Sequence, residues 1–445
     1  MKFARHHFSP VAVSLALTCA VAQAQPKPAA PVPDTLDLPT AVAFALENNF
    51  SIRQARERIR QQEGVVIEVS ARTIPNVAAD AAYQRNDRDI SNSFPASDRA
   101  WQISLTASQV LYTGGGVSSA VKGSKLTREA AMLDLQAAIN DALLQVRTGF
   151  YRVLLANEQI KVQESNIALL QEQLKNATDR FNAGTVSSFE KLRSEVAVAN
   201  AKVPLITARN DWRLAIEALR QSLGFTTNTP DSLRKVPDFV GTLAFAPLDF
   251  DLQKSFEAAR ANRPDLQRLA KLTQAREEGV TGARSGYYPN VAAFGGWQLR
   301  KGPTDHFSDS NRGWIVGVQS QWNIFDGRAT QGRVVQTKSL LEQTKLALSE
   351  AQLAVEVEVR RAHSQWQQAT ELAEASALVI DQATESVRLA NARYNAGTGT
   401  QLDVLSAQVD LTTARTNQIQ AFYGYNVAVA ALRKAMGQAD EFVKQ

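Results

Sequence analysis

Two imidazoles, His306 and His363, lie beyond the first 24 residues. No His-x-x-x-His pair, phosphate-binding loop or Gly-x-Ser-x-Gly elbow accompanies them. His363 shares a helical stretch with Trp366 and reads as a packing residue, and His306 reads as a solvated loop residue. Gly114-Gly115-Gly116 is a strand-to-helix corner rather than a phosphate cradle. These residues argue against an enzyme, and no cofactor or metal is expected. What remains is a matched pair of acids, Glu190 and Asp403. Each stands six positions past a glycine, in Arg180-Phe181-Asn182-Ala183-Gly184-Thr185 and in Arg393-Tyr394-Asn395-Ala396-Gly397-Thr398. The chemistry open to such an acid is electrostatic. In the first turn of a helix it is favoured by the helix dipole.

The elements that position these acids follow from the same stretches. Asn-Ala-Gly after a long Ala/Gln/Leu/Val-rich run stops a helix, since glycine supplies the left-handed turn, and the Thr or Ser beyond it can cap the next helix. Both stretches are therefore tips of helical hairpins. They lie about 213 positions apart, so the chain is read as a duplication: a first repeat over residues 36–224, a Pro-containing irregular connector over 225–249, a second repeat over 250–437 and a tail over 438–445. Leu36-Asp37-Leu38 is echoed by Phe250-Asp251-Leu252, each opening a helical pattern, the first running to about Gly64. Long helices are expected from about Val117 to Phe181 and Arg328 to Tyr394, with returning helices over Ser187 to Leu223 and Gln401 to Met436. Pro204 is expected to kink the first returning helix. At 1.5 Å per residue each long helix would span about 100 Å. Their Ala- and Gln-rich composition suits a thin-walled cylinder, and an ordinary periplasmic coiled coil is the other reading.

Residues 1–24 have a basic start, an apolar core and Ala22-Gln23-Ala24, which is the pattern of a secretory signal peptide, with the mature chain beginning at Gln25. Residues 25–35 form a Pro/Ala-rich leader. Cys19, the single cysteine, falls inside the signal. The mature chain would then carry no disulfide, and lipidation at Cys19 competes with the Ala-x-Ala site. Without the signal the charge is nearly balanced, which gives no argument for a nucleic-acid partner.

No apolar run is long enough for a transmembrane helix, so an exported protein that spans a membrane must do so with a β-barrel. Four strands fit that need. Val77, Ala79, Ala81 and Tyr83 alternate with polar or small residues, as do Trp101, Ile103, Leu105 and Ala107. In the second repeat Val291, Ala293, Trp297 and Leu299 alternate, and then Trp314, Val316, Val318 and Trp322. Trp101, Trp297, Trp314 and Trp322 are candidate membrane-interface aromatics, while a soluble sandwich or two-stranded arm is the competing structure. Polar loops join the strands over Arg85 to Asp98 and Lys301 to Arg312. Four strands cannot close a barrel, so a spanning protein must oligomerise.

The ordered combination of duplication, signal, strand pairs and Arg-aromatic-Asn-Ala-Gly tips resembles the TolC-like outer membrane efflux protein family, from about Leu36 to Gly437. The resemblance implies a mixed α and β membrane protein: a homotrimer with a long-helix tunnel in the periplasm and a shared 12-stranded barrel in outer membrane lipid. It implies an exit duct of a tripartite efflux or type I secretion system, passively conducting substrate and served by a periplasmic adaptor and an inner-membrane pump. Asp403 matches the first acidic position of the periplasmic gate, and Ser406 stands where some members have a second Asp. Tyr394 matches the aromatic residue that helps hold the entrance shut, and Gly399 occupies the place of a possible basic partner. Gly184, Gly397, Arg180, Arg393 and Glu190 would meet the adaptor. The reading from another class is a periplasmic coiled-coil scaffold or adaptor that does not span the membrane.

Overall fold

The computed structural model describes residues 34–85, 87, 89, 98–225, 236–302 and 306–438. The expected signal peptide with Cys19, residues 25–33 of the leader, most of the first polar loop and the tail beyond Gln438 lie outside the described residues.

The two halves repeat one element order. In the first, β1 (Thr35–Leu36), α1 (Leu38–Asn48) and α2 (Phe50–Ser70) precede β2 (Asn76–Arg85) and β3 (Arg99–Tyr112), and α3 (Gly116–Asn182) and α4 (Ser188–Leu223) form the hairpin. After β4 (Asp238–Phe239) come α5 (Leu252–Asn262), α6 (Pro264–Arg284), β5 (Asn290–Lys301), β6 (Ser310–Gln321), α7 (Ala329–Asn395) and α8 (Gln401–Ala435). The long helices α3 and α7 each contain 67 residues. α4 continues through Pro204 to Leu223.

The expectation of one helix from Leu36 to about Gly64 is corrected. Thr35–Leu36 pairs in parallel with Asp238–Phe239, inside the connector expected to be irregular. Asp37 then caps α1 by accepting from Thr40 N at 2.9 Å, as Asp251 caps α5 by accepting from Lys254 N at 2.8 Å. The helix breaks at Asn49, whose side chain accepts from Ser51 N and Ile52 N and so starts α2. These caps satisfy donors that have no partner within the helix. In the second half the break falls at Arg263, before Pro264, because a residue preceding proline is pushed out of the helical region.

The core sits midway along the long helices. One cluster joins Leu36, Ala41 and Ala45 to Phe150 and Val153 of α3 and Leu219 and Leu223 of α4. Its counterpart joins Leu266 to Val359 and Trp366 of α7 and Tyr425 and Leu432 of α8. His363 belongs to this packing, with its ring nitrogen 3.0 Å from Phe250 O and its ring against Trp366. Toward the tips the packing thins to small clusters around Leu170, Val198 and Ala201 and around Ala383, Leu411 and Ala414.

The four long strands form one antiparallel sheet in the order β2-β3-β5-β6. Its register sets Tyr83 opposite Trp101, Leu105 opposite Trp297 and Trp297 opposite Trp314. Directly opposed residues share a face, so the apolar sets expected from the alternation line up across all four strands. Gln102, Ser104, Thr106 and Gln298 take the other face. Trp322 lies one residue beyond β6, and the second polar loop is shorter than expected because β5 runs to Lys301 and β6 starts at Ser310.

Candidate functional site: the paired hairpin tips and the four-stranded sheet

Both hairpins close in the same way. Gly184 and Gly397 hold φ at +74° and +75°, the left-handed conformation in which a side chain is strained. Thr185 N donates to Arg180 O and Thr398 N to Arg393 O, at 2.9 and 3.0 Å, which terminates the long helix through its last free carbonyls. The Arg393 carbonyl also takes Gly399 N at 3.1 Å. A Cβ at either glycine would meet no heavy atom within 4 Å, so the strain there comes from the backbone conformation and not from crowding.

The two acids that match in sequence do different work. Asp403 closes a capping box: its carboxylate accepts from Thr400 N and from the Thr400 hydroxyl, each at 2.8 Å, while Asp403 N donates to Thr400 Oγ1 at 3.2 Å. The Thr400 backbone N–H and hydroxyl hold the exposed Asp403 carboxyl below the usual carboxylate range, helped by the charge of Arg393. Ser187, the matching cap residue of the first hairpin, makes no such side-chain bond. Glu190 is turned toward the other hairpin, where it accepts from the Tyr394 hydroxyl at 3.3 Å.

Arg180 completes this contact. Its guanidinium lies 4.7 Å from the centre of the Tyr394 ring and donates to Asn395 Oδ1 at 2.9 Å. The cation beside Tyr394 thus comes from the first hairpin and not from position 399, which is glycine. Burial and the Glu190 carboxylate raise the Tyr394 phenol above its ordinary pKa, against the opposing charge of Arg180. The phenol therefore stays protonated and able to donate.

Sequence reasoning missed Gln401 and Ser194, which stand behind this contact and are 8% and 1% exposed. The Gln401 amide donates to Glu190 O at 3.1 Å and makes a short hydrogen bond to the Ser194 hydroxyl, tying the start of α8 to the first turns of α4. It also missed the acids around Asp403. Asp381, Glu385 and Asp410 line, with Arg393, Asp403 and Ser406, a groove of about 750 Å³ between α7 and α8. The signal was present, since Asp381 and Glu385 are four apart and Asp403 and Asp410 seven apart, which is helical spacing along one face.

At the other end of the molecule, Trp101 donates its indole N–H to Phe307 O at 3.1 Å near the loops, and Trp322 donates to Tyr287 O at 3.2 Å near the helices. Trp314 is 80% exposed on the apolar face, beside Trp297. Among the described residues no helix is long and apolar enough to cross a membrane, and no group of three or more His, Asp or Glu could hold a metal ion.

The family model for outer membrane efflux proteins matches residues 42–225 and 256–438, the two repeats in turn. The chain belongs to the outer membrane efflux protein family. Protein CyaE of Bordetella pertussis is 24% identical over 416 residues, covering 91% of this chain and 85% of that protein. Outer membrane protein TolC of Escherichia coli is 24% identical over 379 residues, covering 82% and 74%. The crystal structure of the CmeC outer membrane channel of Campylobacter jejuni superposes with a TM-score of 0.78 at 16% identity, covering 91% and 87%. The fold is that of the TolC-like channels, long helices of an α-barrel joined to strands contributed to a β-barrel. Membership places this efflux family protein in the outer membrane with its helices in the periplasm, which sets aside the periplasmic scaffold. The family is one of channels rather than enzymes, and its members provide an exit across the outer membrane.

Proposed function

We propose that three copies of this chain form one passive exit duct, with the four strands of each contributing to a 12-stranded barrel and the hairpins of each narrowing the periplasmic end. The observation that carries this reading is the open sheet. Among the described residues its outer strands β2 and β6, of 10 and 12 residues, each pair on one side only. Unpaired backbone groups are untenable in lipid, so these edges need the edges of other copies. The apolar face with Trp101, Trp297 and Trp314 then meets lipid, and the Gln- and Ser-bearing face lines water.

In this assembly the contact of Tyr394 with Glu190 and Arg180 latches the second hairpin to the first. Asp403 and the acids of its groove give the entrance a cation-attracting potential. Gly184 and Gly397, flanked by Arg180 and Arg393, present the tips to a periplasmic adaptor, and an inner-membrane pump supplies the energy. Trimer formation is tested by native mass spectrometry of the full chain extracted in detergent. A mass of three chains is expected, and a monomer or a two-chain species would overturn the reading.

A further inference from the structure

Inside one chain the two repeats meet where α3 lies antiparallel to α6, and glycines mark the points of closest approach. A Cβ at Gly123 of α3 would lie 3.8 Å from Glu278 Cβ, and a Cβ at Gly282 of α6 would lie 3.1 Å from the Ser119 hydroxyl oxygen. Lys122 and Glu278 come within 4.0 Å on the same line of contact, and Lys271 and Glu129 within 2.7 Å. The helices approach most closely where one of them has no side chain.

The duplication carries each of these positions into the other repeat. Gly114 corresponds to Gly327 at the strand-to-helix corners and Pro289 to Pro75 before β5 and β2, so α3 corresponds to α7 and α6 to α2. Gly123 and Glu278 become Gln336 and Gly64, and Ser119 and Gly282 become Gly332 and Glu68. At both crossings one member is again glycine, and it has moved to the opposite helix. Nothing within the chain accounts for either one, since a Cβ at Gly64 or Gly332 would meet no heavy atom within 4 Å. Gly64 stands inside α2, where glycine costs about 0.5–1 kcal/mol relative to alanine.

We infer that α7 of one copy packs on α2 of the next as α3 packs on α6, with Gln336 over Gly64 and Gly332 beside Glu68. The occupant is a second copy because the packing order α2-α3-α6-α7 follows the sheet order β2-β3-β5-β6, so each flank that needs a partner in the barrel wall continues into one that needs a partner among the helices. The two flanks are unlike, and a head-to-tail contact of unlike surfaces can close into a ring. Ile67 and Val335, 72% and 58% exposed, stand beside the glycines and are covered by the same contact. One position departs from the pattern: Lys271 and Glu129 become Glu57 and Glu342, and Arg60, 2.6 Å from Glu57, supplies the cation there. The inference rests on the trimeric reading and adds the helices and the register through which copies recognise one another.

The test is disulfide cross-linking of the full chain in detergent, since the Cβ separation of 3.8 Å at the equivalent crossing within the chain is that of a disulfide. Gly64→Cys with Gln336→Cys is expected to shift the band on a non-reducing gel from one chain to two and three, and reductant should reverse the shift. Gly64→Cys with Ser349→Cys, about 20 Å further along α7, should stay at one chain, as should each single variant, which also controls for Cys19. Gly64→Phe should lower the temperature at which the trimer dissociates, whereas Gly279→Phe, on a glycine equally open within the chain but at neither crossing, should leave it unchanged. Trimers in native mass spectrometry without the Gly64–Gln336 cross-link, or with equal cross-linking through position 349, would overturn this seam and leave the trimer standing. Absence of trimers in the wild type would overturn both.

Discussion

The Tyr394 hydroxyl donates to Glu190 Oε2 at 3.3 Å, joining the last turn of α7 in one repeat to the first turn of α4 in the other. Glu190 and Asp403 hold the same place in their hairpins, yet one reaches across and the other caps its own helix. The duplication has therefore supplied two tips with different tasks. One carries the acceptor of the hydrogen bond between the hairpins and the other its donor.

Removing the donor should loosen the entrance. A hydrogen bond of this kind contributes about 1 kcal/mol, so Tyr394→Phe is expected to raise the open-to-closed ratio about fivefold per protomer. Glu190→Gln should do less, because an amide oxygen still accepts. Uptake of a bulky hydrophilic dye by cells carrying each variant measures the difference. Equal uptake in Tyr394→Phe and wild type would remove the latch from the account.

The Tyr394–Glu190 contact has a defined pH limit. Burial and the Glu190 carboxylate raise the Tyr394 phenol. A group raised on folding is stabilising below its unfolded value, about 10 for tyrosine, and loses that effect as pH rises through its folded value. The contact should hold through neutral pH and fail only above the ordinary tyrosine range, where the phenolate cannot donate and repels Glu190. Phenolate absorbance of wild type minus Tyr394→Phe is expected to show one tyrosine titrating later than the exposed ones.

Acid should weaken a different place. Arg263, 8% exposed, pairs with both oxygens of Asp265 at 2.9 and 2.8 Å and with Glu358 at 2.8 Å, and it donates to Ala435 O. Burial pushes the Asp265 carboxyl up, but Arg263 more than reverses this and leaves it below the ordinary range. Its stabilising effect is present above the unfolded value, about 3.9, and is lost as pH falls through the lowered folded value. Arg263→Ala leaves Asp265 without its cation and Glu358 with Lys434 alone at 3.4 Å, and because both carboxylates remain partly in water the cost near neutral pH should be about 1 kcal/mol. Thermal melts against pH should show the acid-induced drop shrinking in this variant.

Asp403 should govern ion preference rather than stability. Its convergence in a trimer would raise its pKa by repulsion, while the capping box within each protomer lowers it. The second effect keeps the carboxylates charged at neutral pH. Asp403→Asn retains a capping side chain and removes the charge, and it should reduce cation preference in reversal potentials across a salt gradient. Adding Asp410→Asn should reduce it further, since both residues line one groove.

The duplication, the hairpin tips and the strand faces were legible because each is written in local pattern. A glycine stop, a period of two and a repeated Arg-aromatic-Asn-Ala-Gly need no tertiary information. The β1–β4 pair was not legible, since two residues per strand carry no period. Nor was the Tyr394–Glu190 contact, which joins residues 204 positions apart through the packing of two hairpins. Arg263 shows the same limit: in the first repeat its place is taken by Asn49, which donates to Ser222 O at 2.6 Å as Arg263 donates to Ala435 O. Of the ion pairs that replace a neutral cap, the one with Asp265 is local, whereas the one with Glu358 lies far along the chain and no spacing announces it.

The measurement closest to the central claim is single-channel conductance of the purified full chain in a planar bilayer, wild type beside Tyr394→Phe. A trimeric duct narrowed by its latch predicts discrete channels from both, with a larger conductance or a higher open fraction in the variant. Failure of either protein to form channels under conditions where a control porin inserts would contradict the duct, and identical conductance and open fraction would contradict the latch.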